Sequence, residues 1–502
     1  MSLLRKLASD TAAYGLSSIL ARFINYIFSF IIVKAITTAE YGDFTKFYAY
    51  AGFLQVVLTH GMETSYFRFK SKGGDNPKAF GTGFISILIW ATLFLILCYI
   101  FQTPIAHYTR VEENPEFVLL FAWIMAFDTL CALPFASLRA NNKAIKFAVI
   151  RIINIIIYTF FMVLLVFWLP KVYEPAFKAD AFWTGFYHPE EKVTYVFVAN
   201  LIASFCTLLM LSKELLQLKF GADFKLYKKM IPYALPIMLV GFAGMINEML
   251  SRVMMEYLLP FDPLRNKELL GIFGFNYKFA MLITLFLQAY RYAAEPFFFA
   301  HAEKSNAKDV YAKSMLFFII AGCFIFLLVM TTLPLLQFYL LKFDPKYMEY
   351  FKGQNVIPIL LSANLLLGIY FNLSTWYKVT DKTHIGAMIA VLGAILTFTF
   401  NFIFIPKYGY TGAAVSTLLC YFSMVVVGYL TEVKYYPITY DFKSIFFYLI
   451  LTAGLWKFFD MIGMLLDNAW LKTGIATIIL LIFTLVAYIR QKRNLKIIEV
   501  KR

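Results

Sequence analysis

Long apolar runs alternate with short polar segments along the whole of this chain. A helix that crosses the hydrocarbon core of a bilayer needs about 20 mostly apolar residues. About fourteen runs reach that length, and each predicts one membrane-spanning helix. Their approximate spans are 12–36, 43–67, 80–102, 114–138, 144–169, 193–217, 230–259, 268–295, 311–340, 354–379, 383–405, 411–435, 441–465 and 470–490.

The composition places these runs in lipid and not in a soluble core. Of the 502 residues, 61% are hydrophobic and only 15% are charged, and the mean hydropathy is +0.69. A soluble chain is roughly a quarter charged, and the surface of a soluble domain is too large to hide this much apolar area. The sequence therefore predicts an all-α polytopic membrane protein with about 14 transmembrane helices.

The net charge of +16 fits a membrane arrangement and does not indicate nucleic-acid binding. Lys and Arg collect in alternate short loops. The segments on the side of the N-terminus hold roughly 27 basic residues, against roughly 11 on the opposite side, which is a positive-inside bias. Both termini are therefore predicted to be cytoplasmic, as an even number of helices requires.

Two stretches of the chain resemble two later stretches at a similar interval. The segment "YGDFTKFYAYAGFLQVVLTHGMETSYFRF" aligns with "LGIFGFNYKFAMLITLFLQAYRYAAEPFF", and "RANNKAIKFAVI" aligns with "KVTDKTHIGAMI". Parallel repeats of this kind are typical of transporters. We predict an N-terminal lobe at 1–219, a C-terminal lobe at 220–436, and two additional helices with a basic cytoplasmic tail at 437–502.

Ionisable and amide side chains interrupt several apolar runs on one face of the predicted helix. In the seventh run, "MINEMLSRVMMEYLLP" places acid, base and acid at intervals of four residues, within one narrow arc. A charge at mid-bilayer is costly unless it faces a partner, water or the bundle interior. The set expected to face inward comprises Arg22, Asn25, Glu63, Arg151, Glu248, Arg252, Glu256, Asn276, Arg291 and Glu295, with Lys278 at the edge of its arc.

Two interpretations of this set stay open. In the first, an Arg and a Glu one turn apart neutralise each other within their helix and line no cavity. In the second, the polar faces of five or more helices line one hydrated cavity. The cations and amides then bind a phosphate or pyrophosphate; they are Arg22, Asn25, Arg151, Arg252, Asn276, Lys278 and Arg291. The acids Glu63, Glu248, Glu256 and Glu295 then close the empty cavity or carry a coupling ion.

Motifs of enzymes and ATP-driven pumps are missing from the sequence. It has no Walker A motif, no nucleophile elbow and no cluster of metal ligands. The five cysteines lie in apolar runs without paired spacing. We expect a protein that is not an enzyme, that holds no metal or cofactor, and whose transport is driven by an ion gradient such as H⁺ or Na⁺, by the membrane potential or by the substrate gradient.

Three segments resemble the polysaccharide-export flippases of the Wzx type, in the multidrug/oligosaccharidyl-lipid/polysaccharide (MOP) exporter superfamily. They are "SSILARFINYIFSFIIVKAITTAEYGDF", "GFAGMINEMLSRVMM" and "GIFGFNYKFAMLITLFLQAYRYAAEPFFF". The resemblance covers essentially the whole chain and implies two six-helix lobes around a central cavity. It also implies a flippase that moves undecaprenyl-pyrophosphate-linked oligosaccharide to the outer leaflet of a bacterial inner membrane, for cell-surface polysaccharide export.

The resemblance also suggests individual residues and partners. Related lipid II flippases carry cavity arginines on helices one, two and eight. Arg22 matches the first, Arg68 matches the second only loosely, and Lys278 stands at the third place with Lys instead of Arg. The implied partners are the lipid-linked saccharide, membrane lipids, a polysaccharide polymerase and chain-length machinery. Alternatives that stay open are a lipid II flippase, a multidrug exporter and a membrane-bound glycan polymerase or ligase.

Overall fold

The described part of the chain is helical and contains no strand. The computed structural model describes residues 30–71, 78–141, 143–176, 187–188, 190–216, 221, 223–302, 305–466 and 468–500. Eleven helices within these ranges are long and apolar enough to cross a membrane. The prediction of an all-α polytopic membrane protein is confirmed.

Backbone contacts divide the chain into two compact units, a first unit at 1–271 and a second unit at 272–502. The lobes predicted at 1–219 and 220–436, with additional helices at 437–502, are a different partition and stay a prediction. The helices of the first unit are α1 (Thr38–Thr59), α2 (Met62–Ser71), α3 (Lys78–Ile100), α4 (Gln102–Tyr108), α5 (Glu116–Ala140), α6 (Ala144–Val163), a π-helical turn (Leu164–Trp168), α7 (Leu169–Ala176), α8 (Lys192–Met210), α9 (Ser212–Leu216) and α10 (Phe224–Leu258).

The next helix, α11 (Pro263–His301), begins in the first unit and continues into the second. The remaining helices of the second unit are α12 (Ala307–Phe343), α13 (Tyr347–Phe351), α14 (Val356–Leu373), α15 (Thr375–Val379), α16 (Thr383–Tyr435), α17 (Phe442–Leu465) and α18 (Ala469–Val500).

The second predicted helix, 43–67, is two helices in the structure. A capping box starts α1, because the Thr37 hydroxyl accepts from the Glu40 N–H while the Glu40 carboxylate accepts from the Thr37 N–H. His60 and Gly61 then adopt left-handed backbone angles, with φ of 33° and 73°, and end α1 before α2 begins. The apolar pattern alone did not reveal this break, because the pattern continues across it.

The seventh predicted helix begins earlier than position 230, at the start of α10. The Asp223 carboxylate accepts hydrogen bonds from the backbone N–H groups of Lys225, at 2.9 Å, and Leu226, at 3.1 Å. This N-cap satisfies donors that a helix start leaves free, so a charged first turn becomes helical. These hydrogen bonds hold the pKa of Asp223 below its usual value, and the bond from the Leu226 N–H contributes most.

The eleventh and twelfth predicted helices share the single long helix α16. Gly409 interrupts its helical geometry with φ of 59° and ψ of −141°, so that two helices meet at a kink. The kink lies between the predicted runs 383–405 and 411–435. The prediction of two spans is therefore consistent with the backbone here, because only glycine adopts such angles without strain.

Gly61 is a position where an added side chain has no room. An ideal Cβ there would lie 2.3 Å from the Ala234 carbonyl oxygen of α10, and φ is already positive. We expect Gly61→Ala to lower the free energy of unfolding by about 1–3 kcal/mol, measured as a fall in the thermal unfolding midpoint in detergent. The control is Gly244→Ala, where a Cβ meets nothing within 4 Å. Equal midpoints for the two variants would contradict the assigned backbone.

Candidate functional site

A buried ion cluster joins α1 to the end of α10 within the first unit. The Lys46 Nζ lies 2.9 Å from Asp43 Oδ1 and 2.8 Å from Glu256 Oε1, and it donates to the Thr109 carbonyl at 2.5 Å. The side chains of Lys46 and Glu256 are both 0% exposed. Asp43, Lys46 and Glu256 are called the Lys46 cluster below.

Further contacts tie the Lys46 cluster to neighbouring segments. The Lys267 Nζ lies 3.2 Å from Asp43 Oδ2, so the first turns of α11 supply a second cation. The Glu256 carbonyl accepts from Arg110, at 2.8 Å, and from Asn266, at 3.1 Å. The acid predicted at Glu256 therefore has its ion partner on another helix, because α10 packs along α1.

The other two charges of the seventh-helix motif lie in different surroundings. Arg252 is buried, and its Nη1 contacts the Met249 sulfur. Glu248 is exposed. The spacing of four thus places Glu248, Arg252 and Glu256 along α10, while their burial differs from turn to turn.

Glu63 forms an ion pair at the end of α5. The Arg139 Nη2 lies 2.6 Å from Glu63 Oε2, and both side chains are part-exposed. The Arg139 guanidinium also lies 5.3 Å from the centroid of the Phe67 ring. Glu63 therefore contacts a cation on another helix, as Glu256 does.

Arg151 lies against aromatic rings in α5 and α6. Its guanidinium carbon is 4.2 Å from the Phe135 ring centroid and 5.7 Å from that of Phe147. Asp128 interacts electrostatically with Arg151. The sequence prediction omitted Asp128, although a single acid inside the apolar run "WIMAFDTLCALP" is a sufficient signal.

On α11, Asn276 and Lys278 lie in different environments. Asn276 is fully buried, and its amide donates to the carbonyls of Ile272, at 2.8 Å, and Tyr350, at 2.7 Å. Both amide hydrogens are thereby used within the protein. Lys278 is half-buried. Arg22 and Asn25, predicted on the first helix, lie outside the described residues.

A small polar cavity in the second unit collects two cations and one acid. The Lys378 Nζ lies 2.9 Å from Glu295 Oε1, and the Arg291 Nη2 lies 3.3 Å from the same oxygen. The cavity has a volume of about 20 Å³. We call it the Arg291 pocket, and its lining residues are Tyr290, Arg291, Ala294, Glu295, Phe298, Phe371, Asn372, Thr375, Lys378 and Val379.

The charged side chains of the Arg291 pocket are partly exposed to solvent, whereas those of Lys46 and Glu256 are fully buried. The side chains of Arg291, Lys378 and Glu295 are 38%, 31% and 41% exposed. The charges sum to an excess of one positive charge. The helical spacing predicted Arg291 and Glu295 as site residues but not Lys378, which stands at the end of the predicted helix 354–379, because a charge at the end of an apolar run does not show which helix it faces.

The chain matches one family model and no curated protein. A model described as "Polysaccharide biosynthesis protein" matches residues 7–301, which is more than half of the chain. In the comparison with curated proteins, nothing matches.

Three solved structures are similar over most of the chain. The lipid II flippase MurJ in an inward closed conformation has a TM-score of 0.71 at 16% identity, over 95% of this chain and 99% of that one. An inward-facing multidrug resistance MATE family transporter of the MOP superfamily has a TM-score of 0.61 at 13% identity, over 86% and 94%. The MATE multidrug transporter DinF-BH has a TM-score of 0.59 at 14% identity, over 89% and 96%. At these identities the likeness concerns the fold.

The Lys46 cluster makes a specific prediction about stability. Lys46→Met leaves Asp43 and Glu256 buried without their shared cation, which costs about 3–5 kcal/mol. The double variant Lys46→Met, Glu256→Gln should recover part of that loss, because Asp43 keeps Lys267. The measurement is the free energy of unfolding in detergent.

The matched control for this prediction is Lys352→Met. Lys352 pairs with Glu349 at 2.5 Å, but both side chains are more than half exposed, so its loss should cost less than about 1 kcal/mol. Equal stability of Lys46→Met and Lys352→Met would show that the cluster does not hold α1 to α10.

Proposed function

Because this chain belongs to the polysaccharide biosynthesis protein family and has the fold of the MOP superfamily, we propose that it is a flippase for lipid-linked saccharides. The proposed cargo is an oligosaccharide joined through pyrophosphate to undecaprenol. The chain is a multi-pass membrane protein. A bacterial inner membrane with both termini in the cytoplasm is the proposed location, supported by the positive-inside bias of the loops. The Wzx type within the superfamily is part of this proposal.

The observation that carries the proposal is the Lys46 cluster. Its charges are sealed between α1 and α10, which both lie in the first unit and which the sequence assigns to the predicted N-terminal and C-terminal lobes. In the predicted topology both residues lie toward the outer face. When water enters an ionic contact, the separated charges are hydrated again. Separating an apolar contact instead costs about 25 cal/mol for each Å² of apolar surface that becomes exposed. A polar contact of this kind suits a seam that closes and opens during alternating access.

The cargo class is supported by the chemistry of the cations. Arg151 and Arg291 lie against phenylalanine rings, which orient a guanidinium whose edge then meets phosphate oxygens. In the proposal, Arg22, Asn25, Arg252, Asn276 and Lys278 contribute to the same cargo path.

Coupling and partners complete the proposal. Among the described residues, no three His, Cys, Asp or Glu side chains are placed to hold a metal, and the proposal includes no cofactor and no enzyme reaction. Transport is coupled to an H⁺ or Na⁺ gradient through the acids, with Glu63, Glu248, Glu256 and Glu295 as carriers or gates. A polysaccharide polymerase and chain-length machinery receive the cargo.

A second candidate is a lipid II flippase, which the similarity to MurJ favours. Lipid II is also a polyprenyl pyrophosphate, so the same cations suit it. A multidrug exporter of cationic compounds is less compatible with the Arg291 pocket, because that pocket holds an excess of positive charge.

Leaflet exchange in liposomes tests the proposed function. The reporter is a fluorescent polyprenyl-pyrophosphate disaccharide, with the corresponding lipid II as a second cargo. Arg151→Ala should slow exchange about tenfold, as expected for the loss of a charged hydrogen bond, while Arg151→Lys retains part of the rate. The control Lys457→Ala, at an exposed pair with Asp460, should match the wild type. Wild-type liposomes without exchange, or exchange that does not require the pyrophosphate, would refute the flippase proposal.

A further inference from the structure

We propose that Arg291 and Lys378 form a binding site for a pyrophosphate diester, and that Glu295 fills this site as an internal counter-ion until the phosphate displaces it. This inference rests on the proposed function, since it names the part of the second unit that receives the cargo head group. It adds Lys378 to the residues that bind the cargo, and it assigns Glu295 the role of an internal counter-ion.

The hydrogen-bond geometry shows that Glu295 fits the two cations poorly. Arg291 donates from Nε at 3.4 Å and from Nη2 at 3.3 Å, and Lys378 donates from Nζ at 2.9 Å. All three bonds converge on one oxygen, Oε1. A guanidinium fork is best satisfied by two separate oxygens. A pyrophosphate offers the two terminal oxygens of one phosphorus to the fork and an oxygen of the other phosphorus to Lys378, so it replaces three shared bonds by three separate ones.

The surrounding side chains hold the arginine ready for such a ligand. The Arg291 guanidinium carbon lies 4.3 Å from the centroid of the Phe371 ring, which fixes one of its faces. Next to it, the Tyr290 hydroxyl donates to Asn372 Oδ1 at 2.5 Å, and Asn372 donates to the Gly368 carbonyl at 2.9 Å. These neighbours are satisfied by each other, so the edge of Arg291 and the Lys378 ammonium are the groups left for a ligand.

The size of the cavity requires that Glu295 move. A volume of about 20 Å³ holds one water molecule and nothing larger. A phosphate therefore enters only if the Glu295 carboxylate leaves. That side chain is 41% exposed, and its Arg291 partner precedes it by one turn, the weaker order for a helical ion pair.

The charges match once Glu295 has moved. Arg291 and Lys378 then present two positive charges, and a pyrophosphate diester carries one ionised oxygen on each phosphorus. The site is separate from Lys278, because Arg291 lies roughly 20 Å further along the axis of α11 at 1.5 Å per residue. By the predicted topology, the pocket lies toward the cytoplasmic end of the helix, where cargo would load.

Affinity measurements on the full-length protein in neutral-lipid nanodiscs test this site, with inorganic pyrophosphate as the titrant. Arg291→Ala and Lys378→Ala should each weaken binding about tenfold or more. Glu295→Gln should bind about three- to tenfold more tightly, because a larger fraction of the sites is then open. Lys457→Ala should bind as the wild type does. Tighter binding by Glu295→Gln cannot result from misfolding, and an unchanged or weaker affinity would overturn the proposal.

Two further arms identify the source of the anion. Nanodiscs that carry a polyprenyl-pyrophosphate saccharide should show the same order of variants, whereas nanodiscs with phosphatidylglycerol should not. The same order with phosphatidylglycerol would overturn the assignment to pyrophosphate. Leaflet exchange separates this inference from the proposed function: if wild-type protein flips the lipid while Glu295→Gln leaves affinity unchanged, the site is wrong and the function stands. If the affinities follow the prediction without any flipping, the anion site stands and the function fails.

Discussion

A charged side chain in a low-dielectric interior must have a partner, and this constraint organises the described part of the molecule. An isolated ion in such surroundings costs several kcal/mol even after relaxation. Glu256, Glu63 and Glu295 each have their nearest cation on another helix, namely Lys46, Arg139 and Lys378. Of these, the Lys46–Glu256 pair is fully buried and fixes that α1 and α10 lie side by side, whereas the other two pairs are partly exposed. Apolar packing stabilises the fold through the area it buries, but many apolar surfaces can pack against one another. A buried ion pair forms only with the helix that carries the opposite charge.

Exposure separates these pairs into two kinds. The Lys46 cluster excludes water and is backed by Lys267 and by hydrogen bonds to the Glu256 carbonyl. Its opening requires a concerted movement of helices. The Arg291 pocket is partly hydrated, and its acid satisfies three donors with one oxygen. Its partner is exchanged by the rotation of one side chain. A transporter needs both kinds of ion pair. Helices must move together to open or close the transport path, whereas a single side chain can rotate to admit the cargo head group.

Much of the fold followed from the sequence, because the length of an apolar run predicts a spanning helix and turn residues predict where a helix ends. The two spans around Gly409 are an example, since an apolar run ends where the backbone must leave the helix. The break at His60–Gly61 did not follow from the apolar pattern, which continues across it, although Gly61 is of the residue type that commonly ends a helix. Helical spacing also identified Arg291 and Glu295 as neighbours. It did not identify Lys46 or Lys378 as partners, because periodicity gives the face of a helix but not the helix that packs there.

The central claim is that acids at membrane depth hold cationic sites until an anionic head group replaces them. Electron cryo-microscopy of the full-length protein with a bound polyprenyl-pyrophosphate saccharide tests this claim most directly. We expect phosphate density between Arg291 and Lys378, with the Glu295 carboxylate turned away from both cations. Density for the head group elsewhere, with the contact between Lys378 and Glu295 still intact, would contradict it.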